Sequence, residues 1–213
     1  MGQQRKMLLL DLDRTLIRTD VLNSTVHTAI AGQYPITIAQ LHDEAPNYFV
    51  RPDTTDPSAY YYPLFQHLKE GHNIAPDEVR QIIGCELLDT EFMYDDVPVL
   101  LKALEHRDDI EKRILTFGDP PSQELKYNLC PALGSLVMIC MQTPDKGIYI
   151  RTNTTEDDYV MIVDDKIVRD LPSWCTGVHI DRTTEQEVTL TDYGYTINTL
   201  AVVPDLIDQV FPR

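Results

Sequence analysis

Positive charge is scarce in this chain: 18 Lys and Arg face 34 Asp and Glu over 213 residues, a formal charge of −16. Such an excess repels a phosphate backbone, so nucleic acid is a poor candidate partner. A small phosphorylated substrate stays admissible, because a bound divalent cation reverses the sign locally. Long apolar runs are also missing. No window reaches the roughly 20 apolar residues of a membrane helix, and "MLLL" runs straight into Asp11 without the basic, apolar and small-residue order of a signal peptide. Cysteines are few, and Cys85, Cys130, Cys140 and Cys175 show no CxxC spacing. They read as free buried thiols, and the expected setting is a reducing cytoplasm with no membrane attachment.

What remains is an ordinary globular composition, 43% hydrophobic, long enough for one large domain or a core with an insert. Met7 to Leu10 reads as a short strand buried on both faces, as in the middle of a parallel sheet. From Asp20 to about Cys85 the segments turn helical: "DVLNSTVHTAIAGQ", "ITIAQLHDEAPNYF", "PSAYYYPLFQHLKEGH" and "APDEVRQIIGCELL" carry apolar residues at mixed three and four spacing, with Pro or Gly at the joints. Then alternation resumes. "DDVPVLLKALEH" and "PPSQELKYNLC" predict helices; "KRILTF", "LVMICMQ", "YVMIVDD" and "TGVHID" predict strands; "YTINTLAVVPDLIDQVF" predicts a strand or turn and a final helix. "RTNTTEDDY" reads as a polar loop or helix cap. The pattern predicts an α/β fold, a doubly wound parallel sheet formed by residues 1–18 and 90–213, with residues 19–89 inserted as a small helical cap. Ligands of such sheets bind beyond the carboxyl ends of the strands.

Four strand ends carry groups suited to that rim. The first strand ends in Asp11-Leu12-Asp13, "KRILTF" carries Thr116, the loop after "MICMQ" carries Lys146, and "YVMIV" runs into Asp164-Asp165. Adjacent aspartates also occur at 95–96, 108–109 and 157–158, but only the pair at 164–165 directly follows an apolar strand. The other three read as helix-start charge or solvated loop. Two unit charges about 4 Å apart repel by roughly 4 kcal/mol at an effective dielectric near 20. A clustered set of carboxylates therefore calls for a hard, oxygen-seeking cation, and Mg²⁺ suits a site where water and phosphate oxygens share the shell.

These motifs resemble those of the haloacid dehalogenase-like (HAD) superfamily. "LLLDLDRTL" is similar to its first motif, Thr116 to its second, Lys146 to its third and "IVDDKIVRD" to its acidic fourth, all in family order. The resemblance implies a phosphatase in which Asp11 is the nucleophile and Asp13 the general acid and base. Thr116 and Lys146 would bind and neutralise the phosphoryl group. Mg²⁺ would be held by Asp11, the Asp13 backbone carbonyl, Asp164 and Asp165. Two positions depart from the pattern. Arg14 stands where the family often has glycine, which implies either a stiffer turn or a side chain that reaches the substrate entrance, and either Asp165 or Asp170 could serve as the second acidic group of motif four.

Asp13 favours phosphoryl transfer over halide displacement, which needs no such acid. A phosphomutase would share every one of these residues, and a catalytically idle binding protein is a further alternative. A phosphorylatable receiver module would place its acidic pair before the acceptor and lack the insert. The six histidines, His27, His42, His67, His72, His106 and His179, show no metal spacing. Tyr60, Tyr61 and Tyr62 read as helix packing, and Arg51 as a residue able to meet a substrate anion. The expected partner is a small phosphorylated metabolite.

Overall fold

The computed structural model describes residues 4–41, 43, 64–87, 91–118 and 120–211. A seven-stranded sheet runs in the order β3-β2-β1-β4-β5-β7-β6. Its members are β1 (Lys6–Leu10), β2 (Glu111–Phe117), β3 (Val137–Met141), β4 (Tyr159–Asp164), β5 (Cys175–Ile180), β6 (Val188–Thr191) and β7 (Gly194–Ile197). Every pairing is parallel except β6 with β7, so the chain closes its sheet with one antiparallel edge hairpin.

The central strands are apolar on both faces because each face meets a separate core. In β1, Leu8 and Leu10 join one cluster with Ile114, Met161, Val163 and Val178. Met7 and Leu9 join the other with Leu115, Ile150, Val160 and Ile162. Alternation of side chains along a strand produces this division, and it explains why "MLLL" shows no polar face.

The helices are α1 (Thr19–Gln33), α2 (Leu64–His72), α3 (Pro76–Glu86), α4 (Val97–Leu104), α5 (Pro120–Asn128), α6 (Lys146–Asn153) and α7 (Val203–Val210). Among the described residues, α3 packs against both α1 and α2. Half of "ITIAQLHDEAPNYF", the first part of "PSAYYYPLFQHLKEGH", and with them His42, Arg51 and Tyr60 to Tyr62, lie outside the described residues. The two crossings between sheet and helical segment are tied together: Arg18 N–H donates to the Phe92 carbonyl at 2.7 Å and Tyr94 N–H to that of Leu16 at 3.1 Å.

Several elements depart from the sequence reading. Lys146 opens a helix rather than lying in a loop; Asp145 caps it, accepting from Ile148 N–H at 3.0 Å. "KGIYIRTN" is rich in β-branched and aromatic residues, which hides this helix from propensity. Part of the expected loop "RTNTTEDDY" is the last turn of α6. The edge strand β6 was not expected. It pairs through a hairpin whose Gly194, at φ +118°, lies so near β5 that a Cβ there would meet the Gly177 carbonyl oxygen at 2.1 Å. Asp158, read as solvated, is buried: Arg5 grips it at 2.7 Å and Thr155 N–H donates to it at 2.9 Å. Asp96, read as helix-start charge, also acts as a clasp, accepting from Arg182 at 2.7 Å, Thr199 at 3.0 Å and Leu200 N–H at 2.8 Å.

Cys130 is buried, while Cys140 and Cys175 are half-buried; all three are free thiols. Burial pushes the Cys130 thiol up to about 11 and that of Cys175 to about 12. No helix among the described residues is long and apolar enough to cross a membrane.

Candidate active site at the carboxyl rim of the sheet

Parallel β1, β2 and β4 deliver their carboxyl ends to one rim. Asp11 follows β1, its N–H still bonded to the Val163 carbonyl of β4 at 2.9 Å, and Asp164 closes β4. Thr116 lies near the end of β2 with 1% of its surface exposed. Lys146 arrives on the first turn of α6.

Three carboxylates meet here: Asp11, Asp164 and Asp165 offer oxygens that all lie within 4.8 Å of one another. Lys146 is the buried cation among them. Its ammonium donates to Asp11 and, at 2.5 Å, to Asp164. One positive charge against three carboxylates leaves the group electron-rich. Burial, with help from Asp164 and Asp13, pushes Asp11 up to about 7 despite Lys146. Burial and Asp164 likewise raise Asp165. For Lys146 burial opposes the charge, but Asp11 and Asp164 outweigh it and raise the pKa.

The donor set fits a hard divalent cation. It consists of carboxylate oxygens and is short of positive charge, which a bound cation would supply. Asp170, the alternative second acid of motif four, stands apart from this group: it sits at φ +54° and its carbonyl accepts from Arg151. Asp165 is the member the structure brings in.

Asp13 occupies a different setting. It does not continue the alternation of the strand, since β1 stops at Leu10 and the chain turns, with Leu16 and Ile17 N–H groups both donating to the Leu12 carbonyl. Its carboxylate faces α5 instead. It accepts from Lys126 Nζ at 2.7 Å, Thr19 Oγ1 at 2.8 Å and Gln123 Nε2 at 2.9 Å. Burial opposes the charge, yet Lys126, Gln123 and Thr19 together hold Asp13 below the usual carboxylate range. Gln123 and Lys126 were not anticipated. The available signal was their spacing of three on a helix that starts just after Thr116, which puts both on one face.

Arg14 takes the left-handed conformation at φ +59°, the backbone shape for which glycine is favoured. Its side chain is exposed and pairs with Asp20 at 3.0 Å, at the outer lip of the turn. His179 Nε2 lies 3.1 Å from the Asp165 carbonyl oxygen and thus supports the loop rather than joining the carboxylates. Beyond that loop a cleft of about 370 Å³ is lined by Lys166, Val168, His179, Tyr193, Tyr195 and Thr196, among others. None of Asp11, Thr116, Lys146, Asp164 and Asp165 lines it.

By sequence, the chain matches no family profile and no curated protein. Its fold does match solved structures. A haloacid dehalogenase-like hydrolase from Burkholderia xenovorans LB400 superposes with a TM-score of 0.65 at 14% identity, over 99% of this chain and 100% of the other. A HAD hydrolase from Bacillus subtilis bound to magnesium gives 0.55 at 14% identity, over 97% and 100%. L-2-haloacid dehalogenase from Xanthobacter autotrophicus, with chloropropionic acid covalently bound, gives 0.56 at 12% identity, over 96% and 98%. At these identities the likeness is one of fold.

Proposed function

Starting from the haloacid dehalogenase-like fold, we propose that this chain is a Mg²⁺-dependent phosphatase that hydrolyses a small phosphomonoester through an aspartyl-phosphate on Asp11. One observation carries the reading: a buried carboxylate group at Asp11, short of positive charge, stands two residues from a second carboxylate, Asp13, held in a separate polar clamp. One carboxylate within the cation-seeking group and one set apart from it suit a nucleophile and a separate proton carrier.

An Asp11 oxygen attacks phosphorus and the ester oxygen leaves; because its clamp favours the ionised carboxylate, Asp13 first takes a proton from the substrate monoanion and then gives it to that oxygen. In the second half Asp13 takes a proton from water, whose oxygen attacks the aspartyl-phosphate and frees phosphate and Asp11. Thr116 donates a hydrogen bond to the transferring group, and Lys146 offsets its charge while holding Asp11. Arg14 stands at the entrance to meet the substrate. Asp11, Asp164, Asp165 and the Asp13 backbone carbonyl would hold Mg²⁺, which when bound supplies charge that stabilises the phosphoryl oxygens. Halide leaves as an anion and needs no proton, so a clamped Asp13 favours phosphoryl transfer over dehalogenation. The free thiols suit a reducing cytoplasm.

The test is phosphate release from a panel of small phosphomonoesters, with Mg²⁺ and with chelator, for the wild type and Asp11→Asn. Mg²⁺-dependent release that the variant lacks supports the reading. Transfer of the phosphoryl group between hydroxyls of a sugar phosphate, without net release, would replace it with a phosphomutase. Silence of the wild type on both would leave a binding protein.

A further inference from the structure

The clamp on Asp13 is built from residues outside the four motifs. Gln123 is only 2% exposed, and its Nε2 reaches three acceptors: Asp13 Oδ2 at 2.9 Å, Thr116 Oγ1 at 3.1 Å and the Phe117 carbonyl at 2.9 Å. This one amide therefore links the ends of β1 and β2. Its Oε1 is buried with no hydrogen-bond partner among the described residues. An unpaired buried acceptor is unfavourable, so packing stability alone does not account for a glutamine here. The approach also depends on Gly118, where a Cβ would lie 2.6 Å from that Nε2. One turn along α5, Lys126 closes on the other oxygen of Asp13, which Thr19 shares.

We infer that Gln123 and Lys126 are positioning residues for Asp13, fixing its carboxylate against Thr116 so that the proton-transfer oxygen is aimed before substrate arrives. The inference rests on the phosphatase reading and deepens it. Neither residue touches the Asp11, Asp164 and Asp165 group; Lys126 acts on Asp13, so its contribution falls on proton transfer to the leaving group, whereas Gln123 also bonds Thr116 and bears on the transferring group as well.

That division gives the test its readout. Ethyl phosphate expels an alkoxide that must be protonated, whereas p-nitrophenyl phosphate expels a phenolate that leaves unaided. With Mg²⁺ present, Lys126→Met and Gln123→Met should each lower kcat on ethyl phosphate by about 10²-fold. On p-nitrophenyl phosphate the fall for Lys126→Met should be less than about 10-fold, with KM for both substrates little changed, while Gln123→Met, which also loses the bond to Thr116, should fall further; Lys126→Arg should recover part of the loss. In metal-free protein the melting-temperature losses of Asp13→Asn and Lys126→Met should be less than additive in the double variant, since both remove one contact. Equal losses on the two substrates for Lys126→Met, a change confined to KM, or additive melting shifts would overturn the positioning role while leaving the phosphatase reading intact. A wild type inert on both substrates and on the wider panel would overturn both.

Discussion

The strand β4 has an Asp-Asp pair at each end, and the two ends could hardly differ more. At its start Asp158 is buried, but Arg5 and the Thr155 N–H meet its charge in full. Asp158 is accordingly held below the usual carboxylate range, first by Arg5. At its finish Asp164 shares Lys146 with Asp11 while Asp165 crowds the same space. Burial there pushes Asp11 up to about 7. A balanced buried charge fastens a fold, whereas an unbalanced one marks a place where something else must bind.

The widest separation between the two ends should appear in turnover. Asp11→Asn removes the oxygen proposed to attack phosphorus and should lower phosphate release by at least about 10⁴-fold, while Asp158→Asn should leave kcat within a few-fold when assayed well below its melting temperature.

Stability should then separate them with opposite signs. Asp158→Asn breaks a complete set of charge-assisted bonds and should cost about 1–3 kcal/mol by denaturant titration. Asp11→Asn in metal-free protein at pH 7.5 should instead be neutral or stabilising, because it removes one of three crowded carboxylates.

The pH dependence sharpens this contrast. The folded pKa of Asp11 lies above its unfolded value, so Asp11 contributes stability in acid and loses it as pH rises from about 4 through about 7. The melting temperature of Asp11→Asn relative to metal-free wild type should climb across that interval. For Asp158 the folded pKa is depressed, so the deficit of Asp158→Asn should persist down to the acid side of the ordinary carboxylate range.

The smallest effect is that of the metal on wild-type melting. Mg²⁺ at about ten times its dissociation constant should stabilise by about 1.4 kcal/mol, a rise of a few degrees that Asp164→Asn abolishes and Asp158→Asn does not. No rise in the wild type at millimolar Mg²⁺ would remove the distinction between the two ends of the strand.

Much of this was legible from residue order. Two-faced apolar runs marked β1, β2 and β4, and the carboxylates at the ends of β1 and β4 stood out because they directly follow such runs. Asp158 escaped because its partner is Arg5, 153 residues away, and pattern does not report such a distance. Helix α6 escaped because an N-cap and tertiary packing outweigh the poor propensity of "KGIYIRTN". Gln123 and Lys126 look like the polar face of any surface helix; only the turn that ends β1 swings Asp13 towards them. The β4–β5 connection, residues 165–174, holds no helix despite the alternation elsewhere, and the cleft beside Lys166 lies over the strands it leaves bare.

The paired crossings at Leu16–Arg18 and Phe92–Tyr94 also have a mechanical side. Two single strands would let the helical segment twist, shear and swing independently. Laced together by backbone hydrogen bonds, they behave as a short ribbon, compliant to bending out of its plane and stiff to sliding within it.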